Sequence, residues 1–301
     1  MLGISFLIVG IVTYRRDFLA SPRDAFGLTA LGPVFVAAAL AAFAGEHFTA
    51  AAALSRLVPK WMPARLFIAY FVGAAHLAAA LSFVARRYIR WSALCLALMF
   101  ALFVLLMDLP AAVTRPTIRI LWSLAARETT FAIGALALFA IVTKGGRPRR
   151  AKTLAAIARV WTAAVLVSYG VENVLYPQFS PGVPAMTPTP AWVPLPMLVA
   201  YATGILLVAF GIAMFVGKYA SAAAAGCGVL MTLLTVALYT PQWIIARGVS
   251  QQVTAINFVF DTLLFAGTML VISRAISETT NAGVWRADVA SEFASYQRAT
   301  G

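Results

Sequence analysis

Apolar residues fill long runs over about 26–48, 64–86, 91–109, 120–143, 154–176, 193–217, 220–240 and 253–273, and Arg, Lys and Pro gather in the short stretches between them. Each run approaches or exceeds the ~20 residues that an α-helix needs to cross a hydrocarbon core. None alternates in short segments, as the strands of a barrel would. The pattern predicts an all-α polytopic membrane protein with eight transmembrane helices. Residues 1–13 are also apolar and end at Tyr14-Arg15-Arg16. That stretch is short for a span. It lacks the basic start and small-residue cleavage site of a signal peptide, so it reads as an interfacial or tucked-in helix.

The same pattern repeats. Pro59-Lys60-Trp61-Met62-Pro63 returns as Pro190-Ala191-Trp192-Val193-Pro194, an offset of 131 that also carries Tyr70 onto Tyr201, Gly73 onto Gly204 and Pro110 onto Pro241. Glu46-His47 returns as Glu172-Asn173 at an offset of 126, and Glu128 and Gly134 return as Asp261 and Gly267 at 133. Because four spans bring the chain back to its starting side, two such units run the same way, as parallel repeats. The expected organisation is an N-terminal segment (1–25), a first repeat (26–143), a basic linker (144–153), a second repeat (154–273) and a tail (274–301). Each Pro-x-Trp-x-Pro loop is either a plain turn pinned at headgroup depth by its tryptophan or a lid.

Composition agrees with the pattern. Side chains are 62% hydrophobic and 11% charged, with a mean hydropathy of +0.89, against about 25% charged in soluble domains. Disorder, a disulfide scaffold and a secreted enzyme are excluded. The net charge of +13 would suggest nucleic acid, but the basic residues sit between spans, where they set orientation. Most cluster at 15–23, 86–90, 144–152 and in the tail, with fewer at 56–65, 115–119 and 247. By the positive-inside rule the first set, with the C-terminus, is cytoplasmic, as in a bacterial-type inner membrane. The expected partner is the lipid bilayer, not nucleic acid.

Candidate chemistry is sparse. Of ten acidic residues, Glu46, Asp108, Glu128, Glu172 and Asp261 fall in or at the ends of spans, where an ionisable group needs a partner or a wet cavity. By helix direction all five belong to the outer half of the bundle. The first repeat has His47, Asp108 and Arg127 where the second has Asn173, Tyr239 and Phe260. That makes Glu46, His47 and Glu128 the best candidates for acid–base chemistry. Arg127, Asp108, Glu172, Asp261, Trp61 and Trp192 are candidate substrate contacts. In the plainer alternative, Arg127 neutralises a glutamate and fixes packing. His76, deeper in its helix than His47, reads as a satisfied packing residue and not as half of a haem pair. Cys95 and Cys227 are single and lack a Cys-x-x-Cys context. No metal cluster, phosphate loop or nucleophile triad is present.

Ala-Gly-Glu-His-Phe (44–48), Val-Pro-Lys-Trp-Met-Pro (58–63), Tyr-Phe-Val-Gly-Ala-Ala-His (70–76) and the Arg86-Arg87 turn resemble the DoxX-like membrane proteins. These are usually single four-helix units of half this length. The likeness covers about 30–143 well and 155–272 more weakly, as in a tandem duplication. Members often carry a glutamate after the glycine of the second helix, where this chain has His76 and Leu207. The resemblance implies a redox setting: a subunit of quinone-linked thiosulfate oxidation, or a partner of thiol and superoxide defence. The expected role is thus a membrane subunit or accessory protein of a redox pathway, with an outward-facing polar pocket for a quinone-like or small oxyanion substrate. It could have a redox enzyme or larger membrane complex as partner, and quinone is the one cofactor suggested. A carrier for a small hydrophobic or protonatable solute and a structural scaffold remain as alternatives, and the sequence leaves open whether the protein is an enzyme.

Overall fold

In the computed structural model most of the described residues are helical. Phe179 and Pro188 form one isolated bridge, and there is no strand among the described residues. The structure describes residues 1–20, 25–143 and 148–300, with side chains omitted for 25, 26 and 281–300. Arg23 and residues 144–147 of the expected linker lie outside the described residues, as does most of the tail's side-chain chemistry. Helix α1 is Leu2–Ala20, and a 3-10 turn (Ala25–Leu31) leads into α2 (Gly32–Thr49). Then come α3 (Ala51–Leu54), α4 (Arg65–Ala85), α5 (Ile89–Phe103), α6 (Leu109–Thr114) and α7 (Arg119–Thr143). The second half holds α8 (Pro148–Leu175), α9 (Pro196–Val216), α10 (Ala220–Leu234), α11 (Thr240–Ile245) and α12 (Val249–Thr300). Eight stretches among the described residues, from Gly27–Thr49 to Val249–Thr280, are long and apolar enough to cross a membrane. The protein is an all-α polytopic membrane protein.

The duplication is visible in the backbone. Helices α4 and α9, α5 and α10, and α6 and α11 begin and end 131 positions apart. Each of α4 and α9 is preceded by a left-handed residue, Ala64 (φ 49°) and Leu195 (φ 48°). A π-turn closes α5 at Val104–Asp108 and α10 at Thr235–Tyr239. Pro110 and Pro241 account for both π-turns. Each ring would collide with the carbonyl four residues back and offers it no N–H, so the helix widens by one residue instead of continuing. Gly73 and Gly204 do the same work in each half. A Cβ on Gly73 would stand 2.7 Å from the Cβ of His47, and one on Gly204 would stand 2.8 Å from the carbonyl oxygen of Gly170. The missing side chains let α4 lie close against α2, and α9 against α8.

Helices α2 and α12 are the most enclosed of the spans. Helix α2 is nearly all alanine over 37–44, so neighbours approach it from several sides. The span of α5 and its π-turn is the most open, with Leu94, Leu98, Leu102 and Leu105 exposed on a stripe suited to lipid.

Helix α1 takes the tucked-in of its two expected placements. It extends seven residues past the apolar stretch and lies lengthwise along α2 in the opposite direction. Leu2 is beside Gly45, Gly3 beside Ala38 and Gly10 beside Val34. Tyr14 donates to the Phe83 carbonyl at 2.8 Å, and Asp17 pairs with Arg86 at 2.7 Å. Gly3 and Gly10, two turns apart on one face, permit this close fit.

Candidate functional site

The acidic residues do gather toward the end of the bundle that carries the Pro-x-Trp-x-Pro loops, but in three separate groups. The first surrounds a cavity of about 460 Å³ within the first repeat, among α2, α4, α5, α7 and the 55–64 loop. Its wall is mostly apolar, from Phe71, Met99, Phe103 and Leu106, with Val58, Pro59 and Met62 at the loop. The polar side chains in it are His47, Asp108 and Glu128.

Local structure positions each of them. His47 stands in the last turn of α2, its Nδ1 2.8 Å from the Phe43 carbonyl oxygen. A carbonyl only accepts, so Nδ1 carries the proton and Nε2 is left for the cavity side of the chemistry. Asp108 ends the π-turn forced by Pro110, and its Oδ2 is buried without a hydrogen-bond partner among the described residues. Glu128 projects from α7 and lies 3.3 Å from Arg127.

Arg127 does not line the cavity. Its guanidinium reaches across to α12, where Nη1 donates to Asp261 Oδ2 at 2.9 Å, and it stands over the Phe131 ring at 5.8 Å. This pairing joins the two repeats at their fourth helices, with Asp261 closer to the guanidinium than Glu128.

The other candidates lie elsewhere. Glu46, one residue from His47, points around α2 to the opposite side. It accepts from Asn257 at 3.0 Å and lines a second space of about 300 Å³ with Leu2, Trp243 and Phe260. Successive helical residues diverge by about 100°, so Glu46 and His47 do not act as one group. Glu172 is held between α7 and α8, paired to Arg119 at 2.7 Å and accepting from Ser123. Trp61 and Trp192 are exposed and absent from the cavity wall, which Pro59 and Met62 reach instead. Their positions fit interfacial anchoring.

The histidines were expected to lie far apart in depth. Their ring centroids are 5.4 Å apart, because Gly73 brings His47 level with the middle of α4. His76 is buried with neither ring nitrogen hydrogen-bonded among the described residues, packed among Phe43, His47 and Phe100. It is a packing residue, but not a satisfied one. No group of three or more metal-ligating side chains occurs among the described residues.

The second repeat handles the equivalent place differently. The offset rises from 126 at His47 to 131 at Pro59, so its loop is five residues longer, and the extra length folds inward. Ser180, Val183 and Ala185 are buried. Asn173, the counterpart of His47, donates to the Gly182 carbonyl at 3.0 Å and accepts from the Gly182 N–H at 3.1 Å. Tyr239, the counterpart of Asp108, donates to the Pro181 carbonyl at 3.0 Å. Sequence reasoning passed over this plug, though the change of offset was there to be read.

Comparison with protein-family models, curated proteins and solved structures finds no match.

Proposed function

We propose that this chain is a membrane protein of DoxX-like kinship whose first repeat binds a quinone-like amphipathic molecule, as a subunit or accessory protein of a redox pathway. The observation that carries the reading is the cavity of about 460 Å³, apolar over most of its wall, with His47, Asp108 and Glu128 as its polar side chains. Its volume falls in the ~300–1,000 Å³ range of small-molecule sites, enough for a ring headgroup and the start of a tail. The three polar side chains set in an otherwise apolar wall support an amphipathic ligand with a polar head.

A small oxyanion fits less well. Two carboxyl groups face the cavity, and Arg127, next to Glu128, is already held by Asp261 and Glu128. The distribution of basic residues supports a cytoplasmic C-terminus, an inner-membrane location and a cavity opening in the outer half of the bilayer. The test is direct. Protein purified without added quinone is extracted and its lipids analysed, then titrated with a short-tailed quinone and quinol pair. Retained quinone or saturable binding that weakens in His47→Ala supports the reading. A protein that binds neither form overturns it.

A further inference from the structure

The two repeats form an internal comparison: one cavity is open, and its counterpart is filled by the chain's own loop. In the filled copy the residues at the His47 and Asp108 positions chiefly donate. Asn173 Nδ2 and the Tyr239 hydroxyl meet two peptide carbonyls, and one Asn173 oxygen takes an N–H. In the open copy the same positions have changed character. His47 uses its Nδ1 proton on Phe43, which leaves Nε2 as its remaining ring nitrogen. Asp108 and Glu128 add carboxyl oxygens, and Asp108 Oδ2 has no donor among the described residues.

From this reversal we infer that the first repeat's cavity selects an apolar molecule whose polar head donates hydrogen bonds, a hydroxyl or ammonium head in place of an acceptor-only carbonyl or anionic head. For a quinone-like ligand this means the reduced, dihydroxy form. The inference rests on the reading of the cavity as an amphiphile site and adds the chemistry of the head. A donor head can bond to the Asp108 and Glu128 carboxyl groups that line the cavity. An acceptor-only head sets oxygen against oxygen and leaves both sides unsatisfied in a poorly solvated space.

Four probes of one tail length test it on the full chain in detergent, under argon: decyl-hydroquinone, decyl-quinone, decylammonium and decyl sulfate. Binding is read by equilibrium dialysis. The expected result is that at least one donor head binds about tenfold or more tighter than both acceptor heads, a ratio in line with one net hydrogen bond. Which donor binds identifies the source: a quinol if the hydroquinone alone does, an organic cation if the ammonium does. Asp108→Asn, which replaces one acceptor with a donor amide, brings the hydroquinone-to-quinone ratio toward one. Equal or tighter binding of the acceptor heads by the native chain overturns the donor preference while leaving the cavity as a ligand site. Failure of all four to bind overturns the site itself, and the inference with it. The native-chain comparison decides the matter even if the variant does not fold.

Discussion

At the level of single residues, the site turns on what each polar group already holds. Arg127 is committed to Asp261 and Glu128, so its removal leaves two carboxylates in a poorly solvated place. Arg127→Leu is therefore expected to destabilise the protein by about 3–5 kcal/mol, read as a loss of thermal stability in detergent, with Arg127→Lys milder. A native-like melting temperature for Arg127→Leu would show that the pairing contributes little. Glu46 separates from the site for the opposite reason, since its partner Asn257 and its surroundings lie on the other side of α2. Glu46→Gln should leave ligand affinity within about twofold of native, whereas Glu128→Gln should weaken it about tenfold, the scale of one charge-assisted hydrogen bond. Equal losses from the two substitutions would place them in one functional group after all.

At the level of elements, the close helix pairs connect packing to the cavity. Gly73→Ala puts a methyl against His47, and Gly204→Ala puts one against the backbone of Gly170. Each should cost about 1–3 kcal/mol of stability. Only Gly73→Ala should also change ligand affinity, because His47 lines the cavity; parallel binding assays separate the two effects. The left-handed Ala64 offers the reverse test. It is exposed and has φ 49°, so Ala64→Gly relieves a steric conflict and should stabilise the protein by up to about 1 kcal/mol, measured by unfolding in detergent.

Much of this level was legible beforehand. Long apolar runs mark spans because a lipid-crossing backbone must bond within its own helix, and the fixed offset of 131 marks the copies. The π-turns were less accessible: Pro110 and Pro241 mark an interruption, but whether a helix kinks, stops or widens depends on its neighbours. The choice between an interfacial and a tucked-in α1 was not legible, because Arg15, Arg16 and Asp17 interrupt its apolar pattern and its placement depends on Gly3 and Gly10 meeting α2. Which face Glu46 or Asp108 would present depended on helix rotation, which an apolar run all around the helix does not encode.

At the level of the whole molecule, duplication has produced two similar scaffolds with different contents. Contacts within the first repeat, α2 with α4 and α5 with α7, recur in the second as α8 with α9 and α10 with α12. Exchange of the halves also carries the α7–α8 contact onto the α12–α2 contact, the arrangement expected of parallel repeats. Arg119 from the first repeat reaches the Ala185 carbonyl in the second repeat's loop at 3.1 Å, which ties that loop to the same end of the bundle. Five additional loop residues then make the difference between a closed copy and an open one.

Stoichiometry tests the central claim most directly. Titration of the purified chain with whichever probe binds should give one site per chain, abolished by a bulky substitution into the first cavity, Met99→Trp, and unaffected by Tyr239→Phe in the plugged copy. Two equivalent sites, or a single site that survives Met99→Trp and disappears with Tyr239→Phe, would contradict the assignment of the ligand to the first repeat.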